Sequence, residues 1–205
     1  PVDAEAAKGF GIMKCEPDGT ISEFVEKPQT KEELEPLRTP PKVMADFGFD
    51  VSGGREYLAS MGVYLFRREV MVSLLQKRMD WIDFGKHIIP NCLSTNKVAA
   101  HLFTGFWEDI GTVRSYYDVS MDLTRPDPPF DFHEPGKPIY SRARYLPGAH
   151  IKHLDCEESF VCEGSTIGDA QIERSIVGIR SIIGSDVTIK DSILMGADYF
   201  EGETA

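Results

Sequence analysis

Glu26 and Lys27 stand side by side at the end of a short apolar run, Phe24-Val25, and Pro28 closes it. A carboxylate can accept hydroxyl hydrogens, and an ammonium can pair with a phosphate as a point charge. Neighbouring side chains on an extended backbone point to opposite sides, so the two can serve one ligand only if the strand ends there, which Pro28 permits. The alternative is a solvated charge pair at a strand end, a common surface arrangement. Ser60 offers a hydroxyl that both donates and accepts, either to a ligand or to nearby backbone. Asp109, in Trp107-Glu108-Asp109-Ile110-Gly111-Thr112, lies between a strand and a helix start. One or two carboxylates plus substrate phosphates suffice to hold Mg²⁺. An acid at a helix start is equally favoured by the helix dipole. Arg180 follows Gly178 in a repetitive stretch, as an anion contact or as a surface arginine lying along its own stem.

The elements that must position these residues follow from pattern. Glu16-Pro17-Asp18-Gly19 is turn chemistry between the runs Phe10–Cys15 and Thr20–Val25, which predicts an antiparallel hairpin ending at Lys27. Residues 29 to 57 are polar and rich in Pro and Gly, with a short helix at Lys31-Glu32-Glu33-Leu34, and read as a mobile surface insertion. A buried strand is expected from Leu58 to Phe66. An amphipathic helix follows over 69–79, with Val70, Met71, Leu74, Leu75 and Met79 on one face and Lys77 and Arg78 near its C-terminal end. A second helix runs from Phe84 to Leu93, and Val98 to Trp107 is a strand or hairpin arm. Thr112 is the N-cap of a helix from Val113 to Thr124, and Arg125-Pro126-Asp127-Pro128-Pro129 ends it.

From about Ser159 the chain reads in sixes. Val177, Ile183, Ile189 and Met195 recur at that interval, as do Ile176, Ile182, Thr188 and Leu194. Gly178, Gly184 and Gly196 follow three of the first set. One inward aliphatic per six residues is the signature of a β-helix, with about two coils before Ala205.

Bulk properties exclude several classes. The 205 residues carry a net charge of −11, which argues against general nucleic-acid binding. No apolar run approaches the ~20 residues of a membrane span. The start has no secretion-signal pattern. Cys15, Cys92, Cys156 and Cys162 lack metal spacing and read as buried, reduced thiols of a cytosolic protein. No histidine lies in the hexads, which disfavours a hexapeptide acyltransferase.

Together the stretches Phe24–Pro28, Ala59-Ser60-Met61-Gly62-Val63-Tyr64, Asp83-Phe84-Gly85 and Trp107–Thr112 resemble the sugar-phosphate half of the sugar nucleotidyltransferases. Val177–Ser181 and Leu194–Tyr199 favour the glucose-1-phosphate adenylyltransferase branch. The resemblance implies an α/β fold: part of a Rossmann-like, GT-A-like nucleotidyltransferase domain over 1–125, a linker over 126–146, and an incomplete left-handed parallel β-helix over 147–205. It implies formation of ADP-glucose and pyrophosphate from ATP and glucose-1-phosphate. Lys27 would hold the phosphate and Glu26 the sugar, Ser60 would touch the glucose ring, and Asp109 would ligate Mg²⁺. Asp83-Phe84-Gly85-Lys86 would pack behind the sugar. Arg180 matches a residue of the region that binds anionic allosteric effectors. The family assembles as homo- or hetero-tetramers, in the cytoplasm or, in plants, the plastid. The family's Gly-rich nucleotide loop and a second metal-binding Asp find no match here, so the chain resembles the C-terminal part of a longer protein. The alternatives are a mannose-1-phosphate guanylyltransferase type and a non-catalytic regulatory subunit.

Overall fold

A computed structural model describes residues 1–50, 52–77 and 80–200 and resolves two compact units, Pro1–Gly105 and Phe106–Ala205. The first is built on a hairpin of β1 (Gly11–Cys15) and β2 (Ile21–Glu26), paired so that Gly11 faces Glu26 and Lys14 faces Glu23. Its turn is the one the sequence predicts. Gly19 takes φ +80, a value that costs glycine little, and Asp18 accepts the Thr20 amide and hydroxyl at 2.9 Å. Those bonds hold the Asp18 carboxyl below the usual range.

The described residues of 29–57 form short helices with buried side chains rather than an exposed surface insertion. Thr30 and Glu33 form a capping box on α1 (Lys31–Leu34), a 3₁₀ turn follows over Glu35–Leu37, and α2 spans Pro41–Asp46. Leu34, Leu37 and Met44 are buried, the first two against Ala7, Ile12 and Tyr57. Burying a side chain of that size stabilises by about 1.5–3 kcal/mol, which outweighs the Pro- and Gly-rich composition.

The expected strand from Leu58 to Phe66 is cut short. Only β3 (Leu58–Ala59) pairs, with β1, giving the order β2-β1-β3. Gly62 at φ +71 turns the backbone, and Val63 and Leu65 are 78% and 101% exposed. A strand exists only where a neighbour accepts its hydrogen bonds, and no described residues offer that ladder to 61–66. Val98 to Trp107 likewise forms no strand. It touches the hairpin through the Thr20–Ala99 bridge and through bonds between Ile21 and Val98 and between Ala100 and Gly19.

Helix α3 covers Arg68–Lys77. Leu74 is its buried residue and Val70 packs beside it, one turn earlier, while Leu75 is 44% exposed. Arg78 and Met79 lie outside the described residues. The expected helix over 84–93 opens as a π-turn, Phe84–Ile88, and continues as α4 (Ile89–Leu93). Pro90 falls in the first turn of α4, where its missing N–H costs nothing.

In the second unit, α5 (Val113–Asp122) is capped by Thr112 as expected, with Ser115 completing a capping box, and it ends two residues before Thr124. The repetitive stretch then coils. Parallel strands β4 (His150–Glu157), β6 (Thr166–Glu173) and β8 (Ile182–Lys190) stack in one sheet. The short β5 (Phe160–Val161), β7 (Ile176–Val177) and β9 (Ile193–Leu194) stack in another. This makes three rungs rather than two. The first is not legible as a hexad because β4 is exposed except at Leu154.

The repeat also departs from strict sixes. His150 faces Thr166 and Thr166 faces Ile182, but after an irregularity Ala170 faces Val187 and Val177 faces Leu194. That one-residue slip turns Met195 outward, 80% exposed, and brings Leu194 to the core with Ile167, Ile172, Val177, Ile183 and Ile189. Where the pairing skips Gly168, an added Cβ would lie 2.7 Å from the Gly184 carbonyl oxygen, so only glycine fits between the rungs.

Corners repeat with the coils. Glu158, Arg174 and Asp191 all take positive φ at one corner, and Gly164, Arg180 and Gly196 at another. After the first corner runs a serine ladder. The Ser175 amide donates to Ser159 Oγ at 2.9 Å and the Ser192 amide to Ser175 Oγ at 3.1 Å. Each hydroxyl donates to the carbonyl two residues back. Ser175, fully buried, thus leaves no polar atom unpaired.

Candidate active site

The end of the three-stranded sheet brings three positions read from the sequence, Glu26, Ser60 and Gly85, together around Gly11. Gly11 at the start of β1 faces Glu26 at the end of β2, and its carbonyl accepts the Ser60 amide at 2.7 Å from the other side. Glu26, Gly11 and Ser60 therefore stand side by side across the sheet. Gly85 closes the group. Its missing side chain leaves the space that the Glu26 carboxylate occupies. Gly11 yields to the Phe24 ring, which a Cβ there would overlap, and to the same carboxylate, which it would approach to 2.7 Å. The half-buried Glu26 is thus seated between two glycines.

Lys27 departs from the strand in the way the Pro28 argument requires. It takes φ +50, a left-handed conformation that a lysine adopts only when its surroundings hold it. Its amide donates to the Phe10 carbonyl at 2.9 Å, its carbonyl accepts from Gln29 Nε2 at 2.8 Å, and Pro28 beyond it is buried. The backbone is fixed while the ammonium arm stays exposed.

Ser60 uses its hydroxyl locally, accepting the Gly62 amide at 3.2 Å and lying 3.1 Å from the Tyr64 hydroxyl. Tyr64 stacks on Phe84 with ring centroids 6.0 Å apart, and Phe66 meets the Phe84 edge at 6.1 Å. Tyr64 closes the stretch that the sequence marks as a pocket wall, but the sequence assigns its hydroxyl no role. That hydroxyl's only sequence signal is its place four positions after Ser60, a spacing without meaning until the Gly62 turn folds it back. Asp83 caps the π-turn by accepting the Lys86 amide at 2.9 Å, a bond that keeps its carboxyl below the usual range.

Asp109 belongs to the second unit. Its exposed carboxylate accepts the Gly111 amide through Oδ2 at 3.3 Å, just ahead of the Thr112 cap. Among the described residues no three His, Cys, Asp or Glu side chains converge on a metal position. A single carboxylate with one oxygen only weakly engaged fits a hard cation whose other ligands are substrate phosphates and water. Arg180 is half-buried at its corner. One guanidinium nitrogen donates to the Ala197 carbonyl at 3.1 Å, and the group lies 5.4 Å from the Phe200 ring centroid. Of the thiols, Cys15 and Cys92 are buried as expected, and burial pushes Cys15 up to about 11, whereas Cys156 is exposed.

Residues 1–126 match the nucleotidyl transferase family model, well over half of the chain. The chain belongs to the nucleotidyl transferase family. Residues 144–205 match the GLGC left-handed parallel β-helix domain, which supplies the handedness of the coils. The chain is 39% identical over 208 residues to the small subunit of glucose-1-phosphate adenylyltransferase, chloroplastic/amyloplastic, of Triticum aestivum. The match covers 99% of this nucleotidyl transferase chain and 43% of the wheat protein, so the chain spans less than half the length of that relative. Among the described residues no helix is long and apolar enough to cross a membrane.

Proposed function

We propose that this chain carries the sugar-phosphate side of an enzyme that makes ADP-glucose and pyrophosphate from ATP and glucose-1-phosphate. The observation that carries the reading is the row Glu26, Gly11 and Ser60 across one sheet end, with Gly85 making room. Glu26 accepts hydrogens from sugar hydroxyls, Ser60 and Tyr64 offer hydroxyls beside it, and the Lys27 ammonium pairs with the sugar phosphate. A phosphate oxygen of glucose-1-phosphate then attacks the nucleotide α-phosphorus in line. The new P–O bond forms as the bond to the bridging oxygen breaks, and pyrophosphate leaves with that electron pair. No protein nucleophile takes part; positioning and charge account for the rate. Mg²⁺, when bound, supplies charge neutralisation for the phosphates, and Asp109 is the residue that would hold it.

The wheat relative is named as a small subunit, which supports assembly with further subunits, a tetramer in this reading. Its chloroplastic/amyloplastic name supports a plastid location if the source is a plant, and a cytoplasmic one otherwise. Another sugar-1-phosphate specificity, or a regulatory subunit, are the competing readings, and a panel of nucleotides and sugar phosphates on the full-length protein separates them.

The test is Lys27→Ala in the full-length protein. Loss of a charge-assisted contact costs about 1.5–3 kcal/mol, or about ten- to a hundredfold in the KM for glucose-1-phosphate, with the KM for ATP little changed. Equal effects on both substrates, or none, sink the assignment.

Arg180 is proposed as a contact for an anionic effector. A guanidinium has five N–H donors, and Ala197 takes one. The response to a sugar bisphosphate, phosphate or phosphoglycerate should weaken in Arg180→Ala. An unchanged response leaves Arg180 as a corner brace over Phe200.

A further inference from the structure

Helix α5 is tied to the β-helix by one hydroxyl. Tyr117 Oη donates to the Arg174 carbonyl at 2.8 Å and lies 3.3 Å from Asp191 Oδ1. The acceptor is not a free loop. Arg174 occupies a left-handed corner at φ +43, and its amide donates to the Glu157 carbonyl of the preceding rung at 3.0 Å. Its guanidinium grips Asp191 on the next rung through two nitrogens, at 2.8 and 3.0 Å, and also meets Glu173. Lys190 pairs with Glu173. Fork-like pairing of this kind fixes orientation as well as charge. Three successive rungs thus hold the carbonyl that receives the Tyr117 proton.

Tyr117 sits mid-way along this short helix, and Asp109 stands just ahead of its N-cap. Thr112 and Ser115 cap α5 reciprocally, and Asp109 accepts the Gly111 amide directly before that cap. Tyr117 lies five residues beyond Thr112, about 7.5 Å along the axis at 1.5 Å per residue. A helix of this length moves as a body, so whatever fixes Tyr117 also fixes the Asp109 turn.

We propose that Tyr117 is a positioning residue that registers the Asp109 carboxylate to the β-helix corner at Arg174 and Asp191. This rests on the reading of Asp109 as the metal carboxylate. In that reading the corner of the β-helix sets where the metal-holding turn stands, and a change at the corner reaches the metal through one hydrogen bond and one helix.

The experiment uses the full-length protein with Tyr117→Phe, which keeps the ring and removes the hydroxyl. The Mg²⁺ concentration for half-maximal rate should rise about tenfold, the scale on which loss of an outer-shell partner weakens a metal site. The KM for glucose-1-phosphate should not move, and Asp109→Asn should show the same pattern more strongly. Asp191→Asn discharges the Arg174 pair but keeps the carbonyl acceptor, so its shift should be smaller. A merely structural role would reduce the active fraction and leave the Mg²⁺ midpoint where it was. That result, or a larger effect from Asp191→Asn than from Tyr117→Phe, overturns the proposal. Hydrogen exchange of the amides from Gly111 to Asp122 provides an arm independent of activity. Faster exchange in Tyr117→Phe supports the tether, and unchanged exchange refutes it. Should the unmutated protein form no pyrophosphate, the proposed function fails and the exchange arm alone decides the tether.

Discussion

Gly85 shows how much of this site depends on a side chain that is absent. A Cβ at Gly85 would meet the Glu26 carboxylate rather than backbone. Gly85→Ala therefore has an inexpensive escape, because the end of a glutamate can rotate away. The expected outcome is a raised KM for glucose-1-phosphate with little change in thermal midpoint. A large fall in midpoint with an unchanged KM would mean that the glycine serves the π-turn and not the carboxylate. Lys27 poses the complementary case. Its left-handed backbone is held by Phe10, Gln29 and buried Pro28, so strain at the lysine proposed to hold the phosphate is borne by its neighbours.

The serine ladder ties successive coils of the β-helix through side-chain bonds to backbone amides. Ser175 is buried, accepts the Ser192 amide and donates to the Glu173 carbonyl. Ser175→Ala removes both bonds and leaves the Ser192 amide without its partner, while the Glu173 carbonyl still accepts the Asp191 amide at 3.1 Å, at a cost of about 1–3 kcal/mol for the group left unsatisfied. Calorimetry should show a lower melting midpoint for the β-helix transition, with the KM for glucose-1-phosphate unchanged. A midpoint within error of the parent would mean that water replaces the hydroxyl. The charged corner beside the ladder is exposed. There the Arg174 and Lys190 pairs hold Asp191 and Glu173 below the usual carboxylate range. Such pairs contribute orientation more than stability.

For the whole molecule, the two units contribute different parts of the proposed chemistry. Glu26, Lys27 and Ser60 are in the first and Asp109 and Arg180 in the second. The chain spans 43% of the wheat relative. ATP phosphates need backbone donors and cations such as a Gly-rich loop opening a helix supplies, and the described residues contain no such loop. Residues 1–205 taken alone are therefore expected to give no pyrophosphate from ATP, glucose-1-phosphate and Mg²⁺. Turnover near that of the full-length protein would place the nucleotide site within these residues.

The sequence by itself determined whatever depends on neighbours in the chain. The Pro17-Asp18-Gly19 turn, the Thr112 cap, the end of β2 at Lys27 and the aliphatic recurrence at Ile167, Val177 and Ile183 all follow from local sterics and short periods. The motifs around Glu26, Ser60 and Asp109 were legible for the same reason, as contiguous words. Tertiary structure decided the rest. Whether 61–66 and 98–107 become strands depends on a partner strand, which no local pattern contains. Leu34, Leu37 and Met44 turned a polar, Pro-rich stretch into core because a surface was there to receive them. The one-residue slip that exposes Met195 and buries Leu194 was set by the rung beneath. Tyr64 and Tyr117 gained their partners only when the chain folded back, since a hydroxyl's role is defined by what lies within 3 Å of it, not by its neighbours in sequence.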